Sequence, residues 1–110
     1  MKIQYATNLP EEWAATATVF SALGDPMRQR ILLLFEPDES VSIKEIVALF
    51  SLSRTAVVHH LGVLEKAGIL SYERKGKETL YSLRPGVVLE AVENLRRYIL
   101  EEFPAANLTE

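Results

Sequence analysis

Arg54, Thr55, Val58 and His59 are the residues of this chain whose types and spacing could do chemistry. Their offsets put them on one side of the first two turns of a helix. There an arginine can bond a guanine edge in bidentate fashion, and a threonine can reach a base or a phosphate. A valine can touch a thymine methyl or simply pack. A histidine can bond guanine or phosphate, better when protonated. The opposite side carries Ala56, Val57, His60, Leu61, Leu64 and Ala67 at spacings of three and four, one apolar stripe. On that stripe His60 reads as a hydrogen-bonded structural histidine. Ser53 can cap the helix start. Gly68 can take the left-handed conformation that ends it, with Lys66 near the negative end of the dipole. A helix over about 53–67 follows, polar at its front, the form in which a recognition helix enters the major groove. Ordinary surface helices share that form, so the flanking segments must decide.

Upstream, Ser42-Ile43-Lys44-Glu45 has the capping-box pattern, and Ile43, Ile46, Val47 and Phe50 line the inner side of a short helix. Ser51-Leu52 then makes a tight connection without the usual turn glycine. Two short helices so joined, the second polar at its front, read as a helix-turn-helix. Downstream, Leu70 and Tyr72, then Leu80 (or Thr79), Tyr81 and Leu83, alternate with a period of two around Gly76-Lys77. That spacing predicts two antiparallel strands with a basic tip of Arg74, Lys75 and Lys77. A helix-turn-helix followed by a basic hairpin is a winged helix. The candidate DNA contacts are Ser42, Ser53, Arg54, Thr55, Val58 and His59, with Arg74, Lys75 and Lys77 on the wing.

These segments resemble a known family. Leu23-Gly24-Asp25-Pro26-Met27-Arg28-Gln29-Arg30-Ile31-Leu32 is similar to the opening of the ArsR/SmtB-type bacterial repressors. His60-Leu61-Gly62-Val63-Leu64-Glu65-Lys66-Ala67-Gly68-Ile69 resembles the end of their recognition-helix signature. Arg74-Lys75-Gly76-Lys77 and Tyr81-Ser82-Leu83 resemble their wing. The resemblance covers about residues 15–100 and implies a dimeric, DNA-binding repressor. Two positions depart from it: the family usually has arginine where this chain has His59 and serine where it has Val58. The operator therefore does not follow from relatives. The family's metal sites use cysteines on the first helix of the helix-turn-helix, or Asp and His on the last helix. Here the former holds Ile43, Lys44, Glu45, Ile46 and Val47, and the latter has Glu90 and Glu93 without a histidine. A transition-metal site needs thiolate or imidazole ligands, so no cofactor and no metal of the usual kind is expected. An organic ligand, a partner protein or the protein's own concentration remain as signals.

These elements need helices to hold them. Pro10-Glu11-Glu12 fits the start of a helix that runs to Leu23, after an irregular arm over residues 1–8. Asp25-Pro26 opens a second helix, with Met27, Ile31, Leu32 (or Leu34) and Phe35 inward. Arg28 and Arg30 either follow the DNA backbone or pair with acids such as Asp25. Pro37-Asp38-Glu39-Ser40 is a loop. A last helix spans about 87–103, and Pro104 begins a flexible tail over 104–110. Val88, Val92, Leu95, Ile99 and Phe103 recur there at four, three, four and four. That is more apolar surface than one small core needs. Either it merely covers the core or it forms a two-fold interface with the first helix. The expected interface residues are Trp13, Thr16, Val19, Phe20, Val88, Val92, Leu95, Tyr98 and Ile99. Such a dimer would set two recognition helices roughly 34 Å apart and favour a palindromic operator.

With 110 residues the chain makes one domain, 1–110, mainly α with a small hairpin and about five helices. It has no cysteine, hence no disulfide and no thiolate nucleophile. No glycine-rich phosphate loop or spaced nucleophile and base supports an enzyme. No run reaches the ~20 apolar residues of a membrane span, and Met1 to Tyr5 do not read as a signal peptide, so a cytoplasmic protein is expected. The net charge of −3 looks wrong for a DNA binder, but its distribution does not. Residues 53–84 hold Arg54, Lys66, Arg74, Lys75, Lys77 and Arg84 against Glu65, Glu73 and Glu78, so this part carries +3 and the rest −6. The overall acidity would also suit a winged helix that binds proteins and not DNA.

Overall fold

Three of the five α-helices among the described residues begin where the sequence supplies a side-chain oxygen. The Asp25 carboxylate accepts from the backbone N–H of Met27 at 2.7 Å and of Arg28 at 3.4 Å. Pro26, which has no N–H to lose, opens α2 over Pro26–Leu34. The Ser42 hydroxyl accepts from the Glu45 N–H at 3.1 Å, and the Glu45 carboxylate accepts from the Ser42 N–H at 3.0 Å. That complete capping box starts α3, Ile43–Leu49. Ser53 starts α4, Arg54–Lys66, by accepting from the Ala56 N–H at 3.1 Å. The first helix has no such cap. It opens as a 3-10 turn over Glu11–Trp13 and becomes α-helical in α1, Ala14–Leu23. The last helix, α5, runs over Pro85–Glu102.

The computed structural model describes residues 1–105, and most of the expected 104–110 tail lies outside the described residues. Among the described residues there are five α-helices and three strands. Residues 1–8, expected as an irregular arm, contain a 3-10 turn at Ile3–Ala6 that buries nothing. Lys2 ties the arm to α5, pairing with Glu102 and lying 5.4 Å from the Tyr98 ring centre. No single helix among the described residues is long and apolar enough to cross a membrane.

The hairpin is β2, Leu70–Lys75, and β3, Glu78–Leu83, with Lys75 paired to Glu78. Gly76 has φ 62° at the first turn position, the position a II′-type hairpin turn reserves for glycine. A third strand was not foreseen. β1, Ser40–Ser42, pairs antiparallel with the far side of β3, giving the order β1-β3-β2. It is three residues long and runs straight into the α3 cap, too short for alternation to show in the sequence. Its Ser40 hydroxyl lies 3.0 Å from that of Ser82 across the ladder.

The core gathers around α4. Val57, Leu61 and Leu64, the inner stripe read from the sequence, are fully buried together with Ile31 of α2, Ile46 of α3 and Ile69. The end of α4 is fixed by backbone. The Ile69 N–H donates to the Leu64 carbonyl at 3.0 Å and the Gly68 N–H to that of Glu65 at 2.9 Å. Gly68 has φ 78°, which completes a Schellman cap.

α5 uses only part of its apolar surface. Ala91 is its one buried residue, and the row that includes it faces the body. On that row Asn94 donates to the Thr16 hydroxyl at 3.0 Å, and the Tyr98 ring meets Trp13 edge-on at 5.4 Å. A neighbouring row, rotated away from the body, leaves Val92, Leu95 and Ile99 exposed. The radius of gyration is 17.1 Å, against about 13 Å for a compact domain of this length.

Both capping carboxyls titrate low. The Met27 N–H bond, helped by Arg28, holds the Asp25 carboxyl below its ordinary value against some desolvation. The Ser42 backbone and hydroxyl do the same for Glu45. A carboxylate with a depressed folded pKa adds stability above its unfolded pKa and loses it as pH falls through the folded value. Urea-denaturation midpoints should therefore drop on acidification below about pH 4, and the double variant Asp25→Asn/Glu45→Gln should flatten that drop while being less stable at neutral pH.

Candidate nucleic-acid interface

The buried stripe of α4 dictates what its other face can do. With Val57, Leu61 and Leu64 inward, Arg54, Thr55, Val58 and His59 are all exposed. The sequence placed them there, and Ser53 is exposed at the head of the same helix. Ser42 is different. It is 3% exposed and its hydroxyl is engaged by the Glu45 N–H. It is corrected here from a candidate contact to the residue that builds α3.

An open cleft of about 350 Å³ lies between α3, the front of α4 and the wing. Arg54, Arg74 and Lys77 line it, so the front of α4 and the wing tip share one cationic surface. Lys44 of α3 lines it too, with Glu78 and Thr79. The Thr79 hydroxyl accepts from the Arg74 guanidinium at 3.3 Å, which steadies that side chain. Lys75 stands apart: neighbouring strand residues point to opposite faces, and it pairs with Glu73 at 3.5 Å. Thr55, Val58 and His59 continue the exposed face of α4 beyond the cleft.

Sequence reasoning missed Lys44 as part of this surface, although a signal existed. Lys44 and Arg54 each sit in the first turn of a helix, where the dipole disfavours a cation. Neither cation gains stability from the dipole of its own helix. With Lys44, Arg54, Arg74 and Lys77 against Glu78, the lining of the cleft has the charge to accept an anion such as a phosphate.

Of the two α2 arginines, Arg28 takes the acid-pairing alternative and adds two further partners. Arg28 has a side chain only 15% exposed and 3.8 Å from Asp25, and its guanidinium also donates to the Ala22 carbonyl and the His60 ring. Arg30 lies 5.0 Å over the Phe50 ring. His60 is part-buried and hydrogen-bonded, as the inner stripe required.

The expected interface residues divide. Phe20, Val92, Leu95 and Ile99 are exposed, and Val88 is half-buried. Trp13 and Tyr98 are half-buried against each other. Thr16 and Val19, 5% and 3% exposed, are corrected from surface to interior residues. A ten-residue helix such as α1 cannot offer the same positions to the core and to a partner. Among the described residues no three of His, Cys, Asp and Glu cluster as metal ligands would.

Ser53 carries a separable structural load. Ser53→Ala should lower stability to urea by about 1 kcal/mol and Ser53→Gly by a few tenths only, because glycine still lets the N-cap backbone hydrate.

Comparison with known proteins agrees with this geometry. Residues 23–73 match a family described as a helix-turn-helix domain. The chain is 32% identical over 81 residues to the transcriptional repressor SdpR of Bacillus subtilis (strain 168), a match spanning 74% of this chain and 89% of that one. It is 36% identical over 69 residues to the arsenic resistance transcriptional regulator ArsR1 of Pseudomonas putida, covering 63% of this chain and 54% of that protein. An ArsR-like transcriptional regulator from Rhodococcus sp. RHA1 has a similar solved structure, with TM-score 0.73 and 27% identity over 82% of this chain and 84% of that one.

Proposed function

The chain belongs to the ArsR/SmtB-type winged helix-turn-helix family of DNA-binding transcriptional regulators, and we propose that it acts as a homodimeric repressor that occupies a palindromic operator without sensing a metal. The observation that carries the reading is the shared cationic cleft of Lys44, Arg54, Arg74 and Lys77 beside the exposed front of α4. Phosphates seat in the cleft and fix register, and Arg54, Thr55, Val58 and His59 read base edges. The acidic remainder of the chain orients the molecule with this face towards the duplex. Such work belongs in the cytoplasm.

The dimer reading is supported by α5. Its exposed row of Val92, Leu95 and Ile99, with Phe20 of α1 beside it, is apolar surface that a second copy would cover through a self-complementary contact. The absent metal response is supported by the ligand chemistry: Glu90 and Glu93 on α5 have no imidazole beside them. An effector would instead enter the cavity of about 430 Å³ between α1, α5 and the end of α4, whose lining includes Lys66, Arg97, Glu12 and Glu90.

A genomic fragment selected by the purified protein provides the test. Arg54→Ala should cost about 1–3 kcal/mol on that fragment and relax its sequence preference. Lys77→Ala should weaken all DNA alike and reduce the salt slope by about one ion. Unchanged binding by Arg54→Ala would remove α4 from the interface, and no selected fragment at all would favour a protein-binding module.

Leu95→Asp should shift sedimentation from dimer to monomer and weaken operator binding in parallel, since it places a charge in the apolar row. Zinc at micromolar concentration should leave the protein–DNA complex intact in a gel-shift titration; release would show a metal site that the ligand chemistry argues against.

A further inference from the structure

The recognition helix is held to the body almost wholly by apolar packing, which is non-directional and leaves its rotation loosely set. Among the described residues, one side-chain hydrogen bond ties α4 to the body: the Arg28 guanidinium lies 3.2 Å from Nδ1 of His60. Arg28 is itself held at three points. Its Nε donates to the Ala22 carbonyl at the end of α1 at 2.6 Å. Its Nη1 lies 3.8 Å from the Asp25 carboxylate that caps α2. Its own backbone N–H donates to the same carboxylate. The guanidinium has five donors in a rigid plane and no acceptor. The atom it meets on His60 must therefore offer a lone pair, which assigns the proton of the neutral ring to Nε2.

We propose that Arg28 and His60 are the positioning pair of the recognition helix, a directional tether that sets the rotation of α4 and so the aim of Arg54, Thr55 and His59. The pair sits where such control is effective. His60 follows His59, an exposed residue of the groove-facing side, and the two rings are 5.7 Å apart. Rotation of α4 about its axis would move His60 off Arg28 and carry the exposed side chains sideways with it. The apolar stripe would tolerate a small turn, and the fixed fork of Arg28 would not.

The proposal rests on the regulator reading above, and two arms keep them distinguishable. In the free protein, imidazole ¹⁵N NMR should show His60 protonated at Nε2 and bare at Nδ1, a state that Arg28→Met should release. On the selected fragment, His60→Leu and Arg28→Met should each weaken binding about tenfold, the size of one charge-assisted hydrogen bond. Affinity for unrelated DNA should not change. The double variant should bind no worse than either single one, because the two residues act through one contact. His60→Asn, whose amide oxygen sits near the place of Nδ1, should stay close to wild type. Should either apolar variant fail to fold, Arg28→Lys, which keeps the charge and loses the fork, takes its place. Additive losses, equal losses on unrelated DNA, or a His60→Asn variant as weak as His60→Leu would overturn the proposal. If the wild type selects no DNA, the regulator reading fails and the positioning role with it, while the tautomer still reports on the bond itself.

Discussion

Burial of one stripe of α4 is the constraint on which the rest of the molecule depends. Val57, Leu61 and Leu64 are withdrawn from water between α2, α3 and the start of the wing. An α-helix has one free rotation once its axis is placed, and this stripe removes most of that freedom. The exposed side then follows without further design, since residues on the opposite side of the helix from the buried stripe are turned to water. Arg54, Thr55, Val58 and His59 are exposed on the side that the stripe leaves to water. α1 and α2 supply the far wall of the core, and β2 leaves the end of α4 through a backbone cap that needs no side chain of its own.

Charge is laid over that frame in a way a net value hides. The cations of α3, α4 and the wing converge from three separate elements. Two of them occupy helix starts where they oppose the helix dipole. Within β2 the two neighbouring cations are not equivalent: Arg74 faces the cleft and Thr79, whereas Lys75 is turned to Glu73. The wing tip is thus less uniformly basic than its composition suggests, and its useful charge is on one face.

Much of this was legible in the sequence, for identifiable reasons. The caps at Asp25, Ser42 and Ser53 and the end at Gly68 are local, since each depends on residues within a few positions. The inner stripe of α4 is periodic and therefore readable. What the sequence concealed was non-local. Strand β1 exists only because β3 offers it a partner some forty residues away in the chain. Lys44 belongs to the cleft only because the wing folds over α3. Thr16 and Val19 carry the same helical spacing as true surface residues of α1, and only packing against α5 and the core shows which side each takes. Arg28 was ambiguous between an acid and a phosphate, and its contact with His60 could not be read until the distance between α2 and α4 was known.

Ser42 belongs to two structures at once. It pairs with Leu80 in the sheet and caps α3 in the next residue, with no connecting loop between strand and helix. A chain cannot gain or lose a residue at such a junction without either shifting the ladder by one or rotating the helix by about 100°. The stretch just before it, Pro37 to Glu39, has no comparable double duty and is exposed. Length variation among related chains should accordingly collect ahead of Ser40 and stop there, which makes this short joint the molecule's ruler: the fixed segment that keeps the wing and the helix-turn-helix at one constant separation while the sequence around them drifts.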